Sequence, residues 1–415
     1  MKKLNFISFG DALEKALSNI DEIDRTEIVL LSEARNRVLA RDVISRKNLP
    51  SFDNSAMDGF AVDFRDAGKR VEIVETVYAG DVLKPCLREG QCYRIMTGAK
   101  VPTDANAIVP FESCPETGAD YVLLPDNIKP GDNLRKKGEE CSEGEILVKK
   151  GERLTSAHIA ILAAQGIVAV SVFEPLSIAI VSTGNEIKEP WEQAGEDEIY
   201  NANAFGIGSM LEEYGFFPSY VGSIPDSKER SIDFISSLKG YDVIITTGGI
   251  SMGEADFVEE AFLANGLEVI FHGVNVKPGK PTMMGKMGDT FVMAMPGNPL
   301  TAMLNIFLLS VPVLAKMQGA NRWHFAHQEV INTEEFRIKP SRSNLVLGRM
   351  VDGRFHVLRK NKVGSGMLTP LMEADCVAVF NEKCAAPKRG DFVKVILFGR
   401  FPSEDINLAF NTDIR

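Results

Sequence analysis

The chain has 415 residues, 45% of them hydrophobic and 25% charged, which is an ordinary globular balance and enough apolar material for two to four domain cores. Lysine and arginine total 46 against 57 aspartates and glutamates, so the formal net charge is −11. That acidity excludes non-specific affinity for nucleic acid or anionic membranes, while leaving room for a small basic pocket. The N-terminus carries Asp11 and Glu14 before any apolar core forms, so no signal peptide is expected. The longest apolar run, near Ile306–Leu314, is interrupted by Pro312 and reads as too short to span a bilayer. The six cysteines form no CxxC pair and no zinc-like spacing, and read as free thiols of a reducing cytosol.

In chain order, residues Phe9–Ile20 predict an amphipathic helix capped by Ser8. Glu27–Val38 fits either a helix or a strand followed by a helix. From about Ser45, short β-type runs (Val71–Tyr78, Gln91–Ile95, Ala107–Phe111, Tyr121–Leu124) alternate with glycine and proline turns, which predicts a small β module. Thr155–Gln165 returns to helix.

Leu176–Gly319 then alternates apolar strands with helices. The strands are Ile178–Ser182, Tyr220–Ile224, Val243–Thr246, Leu267–Val274 and Phe291–Ala294. The helices are Ala204–Glu213, Lys228–Leu238, Phe257–Ala264 and Leu300–Lys316, the last expected to be buried or to form a subunit interface. Nearly continuous apolar strands imply a parallel, doubly wound sheet. After Trp323 alternation returns in Glu329–Ile331, Leu345–Val351, Arg354–Leu358, Val377–Phe380 and Phe392–Leu397, a second small β module.

Ligands of open α/β sheets bind beyond the carboxyl ends of the strands. The loops there are Ser182–Glu186, Pro225–Asp226, Thr246–Asp256, Lys277–Pro281 and Pro296–Pro299. Each mixes small residues with a charged or hydroxyl group. Glycines admit an anion to backbone N–H groups. Glu186, Asp226 and Asp256 are hard oxygen ligands suited to Mg²⁺. Lys277 and Lys280 are compact charges suited to oxyanions. A lone TGG is an ordinary turn, a lone KPGK an ordinary surface loop, and Asp226 serves equally as a helix cap. Five such loops in succession exceed what turn chemistry needs. No GxGxxG or GxxxxGK[ST] is present. Two N-terminal segments, Pro50–Ala61 and Asn133–Glu140, read by themselves as a connector and a solvated charged turn.

Taken together, NSAMDGFA (54–61), RIMTGAKVP (94–102), LRKKGEE (134–140), STGNEI (182–187), TTGGISMGEADF (246–257), VKPGKP (276–281) and MPGNPLTA (295–302) resemble the molybdopterin molybdenumtransferase family, which includes the E domain of gephyrin. The resemblance runs in family order over nearly the whole chain. It implies four domains: 1–44 with 142–174, an inserted β-rich 45–141, an α/β molybdopterin-binding-like 175–322, and a C-terminal β-barrel 323–415. It also implies a cytoplasmic homodimer whose active site joins the α/β domain to N-terminal elements of the other subunit.

The implied reaction inserts molybdate into adenylylated molybdopterin, with Mg²⁺ as cofactor and AMP as leaving group. The substrate comes from an upstream molybdopterin adenylyltransferase. By resemblance, Glu186, Asp226 and Asp256 bind Mg²⁺ or organise the pyrophosphate. Lys277, Lys280, Pro281, Ser365 and Arg342 match the molybdate site. Asp58, Thr97 and Arg135 match N-terminal active-site positions. Gly248, Gly249, Ser251 and Asn298 belong to the substrate loops. Asn185 stands where the family commonly has Asp, and Glu140 likewise. The alternatives are a molybdopterin-binding scaffold without turnover, a molybdopterin adenylyltransferase, and a tungstate-inserting relative.

Overall fold

The computed structural model describes residues 6–81, 86–225, 227–248, 257–384 and 386–399. The first helix, Phe9–Ser18, starts where expected: the Ser8 hydroxyl accepts the Asp11 N–H at 3.0 Å, satisfying one of the free N–H groups of the first turn. Its Ala12, Ala16 and Leu17 face the main core. The next segment resolves against a helix. Thr26–Leu30 is a strand paired antiparallel with Ala169–Phe173, and only a short 3₁₀ turn, Leu31–Glu33, follows. Cross-strand partners for Ile28 and Val29 outweigh the weak helical spacing, as β-branched residues favour.

The β module is a six-stranded sheet in the order Ala107–Pro110, Gly59–Val62, Gln91–Ile95, Arg70–Val77, Tyr121–Leu123, Glu116–Thr117. Pro50–Ala61 is therefore more than a connector. Asn54–Ser55 pairs with Leu134–Arg135, and Gly59–Val62 lies between two neighbours. Gly59 is required there, because a Cβ would stand 2.2 Å from the Val109 carbonyl oxygen.

The α/β sheet has six strands in the order Ser219–Ser223, Ile178–Ser182, Val243–Thr247, Thr290–Met295, Met283–Met287, Leu267–His272. The first four are parallel, but Met283–Met287 runs antiparallel to both neighbours, so the sheet is mixed where an all-parallel one was expected. Gly285 and Lys286 break the apolar run of that strand and hide it in the sequence. In the sheet Gly285 lets the Glu268 carbonyl approach, to within 2.7 Å of where a Cβ would be. Ser219–Ser223 is an edge strand and only partly buried, contrary to its apolar reading.

Pro299–Met317 forms one 19-residue helical stretch with a π turn at Ile306–Ser310. Pro312 lies inside this stretch, directly after the π turn, whose irregular backbone accompanies the hydrogen bond that a proline cannot donate. The apolar run is thus longer than its proline suggests. Its mean hydropathy is 1.8, and 89% of it is buried inside the protein. It is the centre of the main core, with Phe307 packed at a tilt against Phe325, 4.3 Å between centroids.

Among the described residues the C-terminal strands close into a ring: Ser343–Val351, Arg354–Val357, Gln328–Asn332, Phe392–Leu397, Cys376–Phe380 and back to Ser343–Val351. Phe355, Cys376, Ala378 and Val395 fill it. One further strand, Val276–Lys277, leaves the α/β unit and adds to this barrel, pairing in parallel with Ser343–Asn344.

Candidate active site

Three strand-end loops meet at the carboxyl edge of the parallel strands. The Thr183 N–H and hydroxyl both donate to the Thr247 carbonyl, at 3.2 and 3.1 Å. The Gly248 N–H donates to the Met295 carbonyl at 2.9 Å, and the Asn203 amide reaches the Gly297 carbonyl at 2.8 Å. Gly248 has φ +89°, and a Cβ there would lie 2.6 Å from the Thr183 hydroxyl, so the loops approach as closely as glycine allows. Glu186 stands exposed beside them, its carboxylate folded back over Gly184. Among the described residues it has no cationic partner.

Beside this edge, between the Lys277–Pro281 loop and the barrel, is a cavity of about 290 Å³. Six of the expected substrate residues line it: Lys277, Lys280, Pro281, Asn298, Arg342 and Ser365. They come from four stretches of sequence (277–281, 298, 342 and 365), and the Val276–Lys277 strand on the barrel is what brings the first of them beside Arg342. Among the described residues the wall carries two lysines and one arginine and no aspartate or glutamate. None of the three cations forms an ion pair among the described residues. Such a cationic wall is chemically suited to an oxyanion.

The fold holds these groups by buried amides that sequence reasoning missed. Asn344, 2% exposed, donates to the Lys339 carbonyl (2.9 Å) and the Arg342 carbonyl (2.7 Å) and accepts the Lys339 N–H (2.9 Å). It clamps the turn that presents Arg342. Asn305, fully buried in the long helix, donates to the Thr282 hydroxyl at 2.6 Å and to the Gly279 carbonyl at 3.4 Å. An amide inside the apolar run LNIFLL was the signal available for it. Asn361 and Thr301 also line the cavity.

Asp58, Thr97 and Arg135 lie elsewhere, together on the β module. The Thr97 N–H and hydroxyl both donate to Asp58 Oδ1, at 2.6 and 2.7 Å. Those bonds, the hydroxyl's first, hold the Asp58 carboxyl below the usual carboxylate range. Backbone bonds join the segments that carry these residues: Gly98 N–H to the Ser55 carbonyl (2.8 Å), Ala56 N–H to the Asn133 carbonyl (2.9 Å), and the Arg135–Asn54 ladder. All three side chains are exposed, and none lines the cavity. Asp226, Gly249, Ser251 and Asp256 fall outside the described residues.

Family models match in the same order along the chain. "MoeA N-terminal region (domain I and II)" covers 7–166, "Probable molybdopterin binding domain" covers 179–316, and "MoeA C-terminal region (domain IV)" covers 329–398. A molybdopterin molybdenumtransferase of Haemophilus influenzae is 30% identical over 398 residues, 94% of this chain and 98% of that protein. The chain belongs to the molybdopterin molybdenumtransferase family. A Bacillus subtilis member is 29% identical, with 93% of each chain covered. The crystal structure of the Pyrococcus horikoshii molybdopterin biosynthesis MoeA protein superposes with a TM-score of 0.82 at 27% identity, covering 95% of this chain and all of that one. The family's multidomain α/β and β fold is the one described above.

Proposed function

We propose that this chain transfers molybdenum to molybdopterin, inserting molybdate into the adenylylated form of the pterin with release of AMP. The observation that carries the reading is the cavity on which Lys277, Lys280 and Arg342 converge with no carboxylate among the described residues of its wall. A tetrahedral dianion is the substrate such a wall attracts, and its volume leaves space for the group that receives the metal. The three strand-end loops around Gly248 and Asn298 offer glycine backbone to the pyrophosphate.

An oxygen-only donor set, with Glu186 exposed and free of any described cation, fits Mg²⁺. Glu186, Asp226 and Asp256 would hold the ion, which would offset pyrophosphate charge when bound. The lysines and Arg342 hold molybdate, Ser365 and Asn298 offer neutral hydrogen bonds, and the cavity wall fixes the reactants relative to each other. Asp58, Thr97 and Arg135 form an exposed polar surface on a separate sheet, which suits a role across the interface of a homodimer in the cytoplasm.

The test is reconstitution: purified chain, Mg²⁺, molybdate and adenylylated molybdopterin, followed for AMP and for cofactor that activates an apo-molybdoenzyme. Release of AMP with cofactor formation, lost in Asp256→Ala, is expected. Tight pterin binding without AMP release identifies a scaffold instead. ATP consumption on unadenylylated molybdopterin identifies an adenylyltransferase.

A further inference from the structure

The N-terminal arm runs beneath the oxyanion loop. The Ile7 N–H donates to the Gly273 carbonyl at 3.3 Å, and the Asn275 N–H donates to the Ile7 carbonyl at 2.7 Å, a parallel bridge centred on Val274. The loop itself is closed by Val274 N–H to the Lys280 carbonyl and Gly273 N–H to the Thr282 carbonyl, both 2.9 Å. Lys280 therefore sits above the arm. Its ammonium lies over the face of Phe6, 3.9 Å from the ring centroid. The fold makes room for that ring: Gly273 has φ +100°, and a Cβ there would stand 2.7 Å from a Phe6 ring carbon.

We infer that Phe6 is a positioning residue for the oxyanion site, seating the Lys280 ammonium by a cation–π contact. This rests on the reading of the cavity as an oxyanion site. The chemistry explains why an aromatic ring is used. A flexible lysine needs a partner to hold one geometry, and its usual partner is a carboxylate. A carboxylate at this place would neutralise the charge and compete with the oxyanion. A ring face attracts the ammonium through its quadrupole while leaving the full positive charge available. Lys280 has the ring and no ion pair among the described residues, in keeping with that division of labour.

The experiment measures molybdate and tungstate binding by calorimetry on the full chain, together with KM and kcat for molybdate. Phe6→Leu keeps apolar bulk and removes the π face. It is expected to weaken oxyanion affinity about three- to tenfold, in KM rather than kcat. Phe6→Tyr and Phe6→Trp, which keep a ring face, are expected to stay within about twofold of the parent. On a Lys280→Ala background, Phe6→Leu is expected to add nothing, because the pair acts as a unit. The inference is overturned if Phe6→Leu leaves affinity unchanged or tightens it, if the ring-bearing variants fail as Phe6→Leu does, or if its effect persists without Lys280. That last comparison also separates a general loss of folding from loss of the contact. If Lys280→Ala itself leaves affinity untouched, the oxyanion reading fails first.

Discussion

Lys277 stands directly opposite Asn344 in a two-residue parallel ladder that joins the Lys277–Pro281 loop to the C-terminal barrel. One residue supplies a positive charge to the cavity, and the other fixes the turn that supplies a further one, Arg342. The two walls of the site are thus one hydrogen-bonded sheet.

Asn344→Ala should cost about 2 kcal/mol of stability, since it removes three hydrogen bonds between a buried amide and the 339–342 turn. Oxyanion affinity should fall with it as Arg342 loses its position. Denaturant unfolding and molybdate calorimetry measure the two effects. Unchanged affinity in the folded variant means the turn holds without the clamp.

Gly279→Ala should damage the loop more than its size suggests. Gly279 has φ +125°, and its Cβ would lie 2.6 Å from the Asn305 amide nitrogen. Backbone strain of about 1–3 kcal/mol then moves the loop or the helix. At least a tenfold loss of oxyanion affinity is expected; a crystal structure of the variant with an undisturbed Lys277–Pro281 loop would count against it.

Removing cavity cations should weaken binding in a salt-dependent way. Lys277→Ala, Lys280→Ala and Arg342→Ala are each expected to lose about tenfold, near 1.4 kcal/mol. The loss should shrink as ionic strength rises, because screening weakens the parent too. Loss that is independent of salt would point to a steric effect.

Thr97→Val should raise the Asp58 pKa. The hydroxyl bond is the main cause of its depression, and the N–H bond alone would remain. A carboxylate with a depressed folded pKa adds stability above its ordinary pKa and loses it as pH falls through the folded value. The variant should therefore lose less stability on acidification and complete that loss at a higher pH. NMR titration of the Asp58 carboxyl carbon reads the shift directly, and an unmoved titration curve would refute the assignment.

Glu186→Gln removes charge from the strand-end carboxylate while keeping its shape. Reconstituted activity should drop most at limiting Mg²⁺ and recover in part at saturating Mg²⁺. A uniform drop at all Mg²⁺ concentrations would assign Glu186 another task.

Much of this was legible in the residues alone. The capped first helix, most strands and the cationic character of KPGKP follow from local rules of period, cap and charge, which a short window contains. The ordered run of motifs carried the family and, with it, Arg342 and Ser365. What local pattern could not supply was pairing. Met283–Met287 was not among the expected strands, because Gly285 and Lys286 interrupt its apolar run, yet its neighbours make it a strand. Glu27–Val38 fitted a helix or a strand followed by a helix, and a strand partner decided for the strand, with only a 3₁₀ turn after it. Asn344, Asn305 and Phe6 gained their roles only by contact with turns far away in sequence. Sequence by itself determined which chemistry is available, because charge and backbone freedom belong to single residues. Tertiary structure alone decided that Lys277, Lys280 and Arg342 share one cavity, because long-range hydrogen bonds and burial set that convergence.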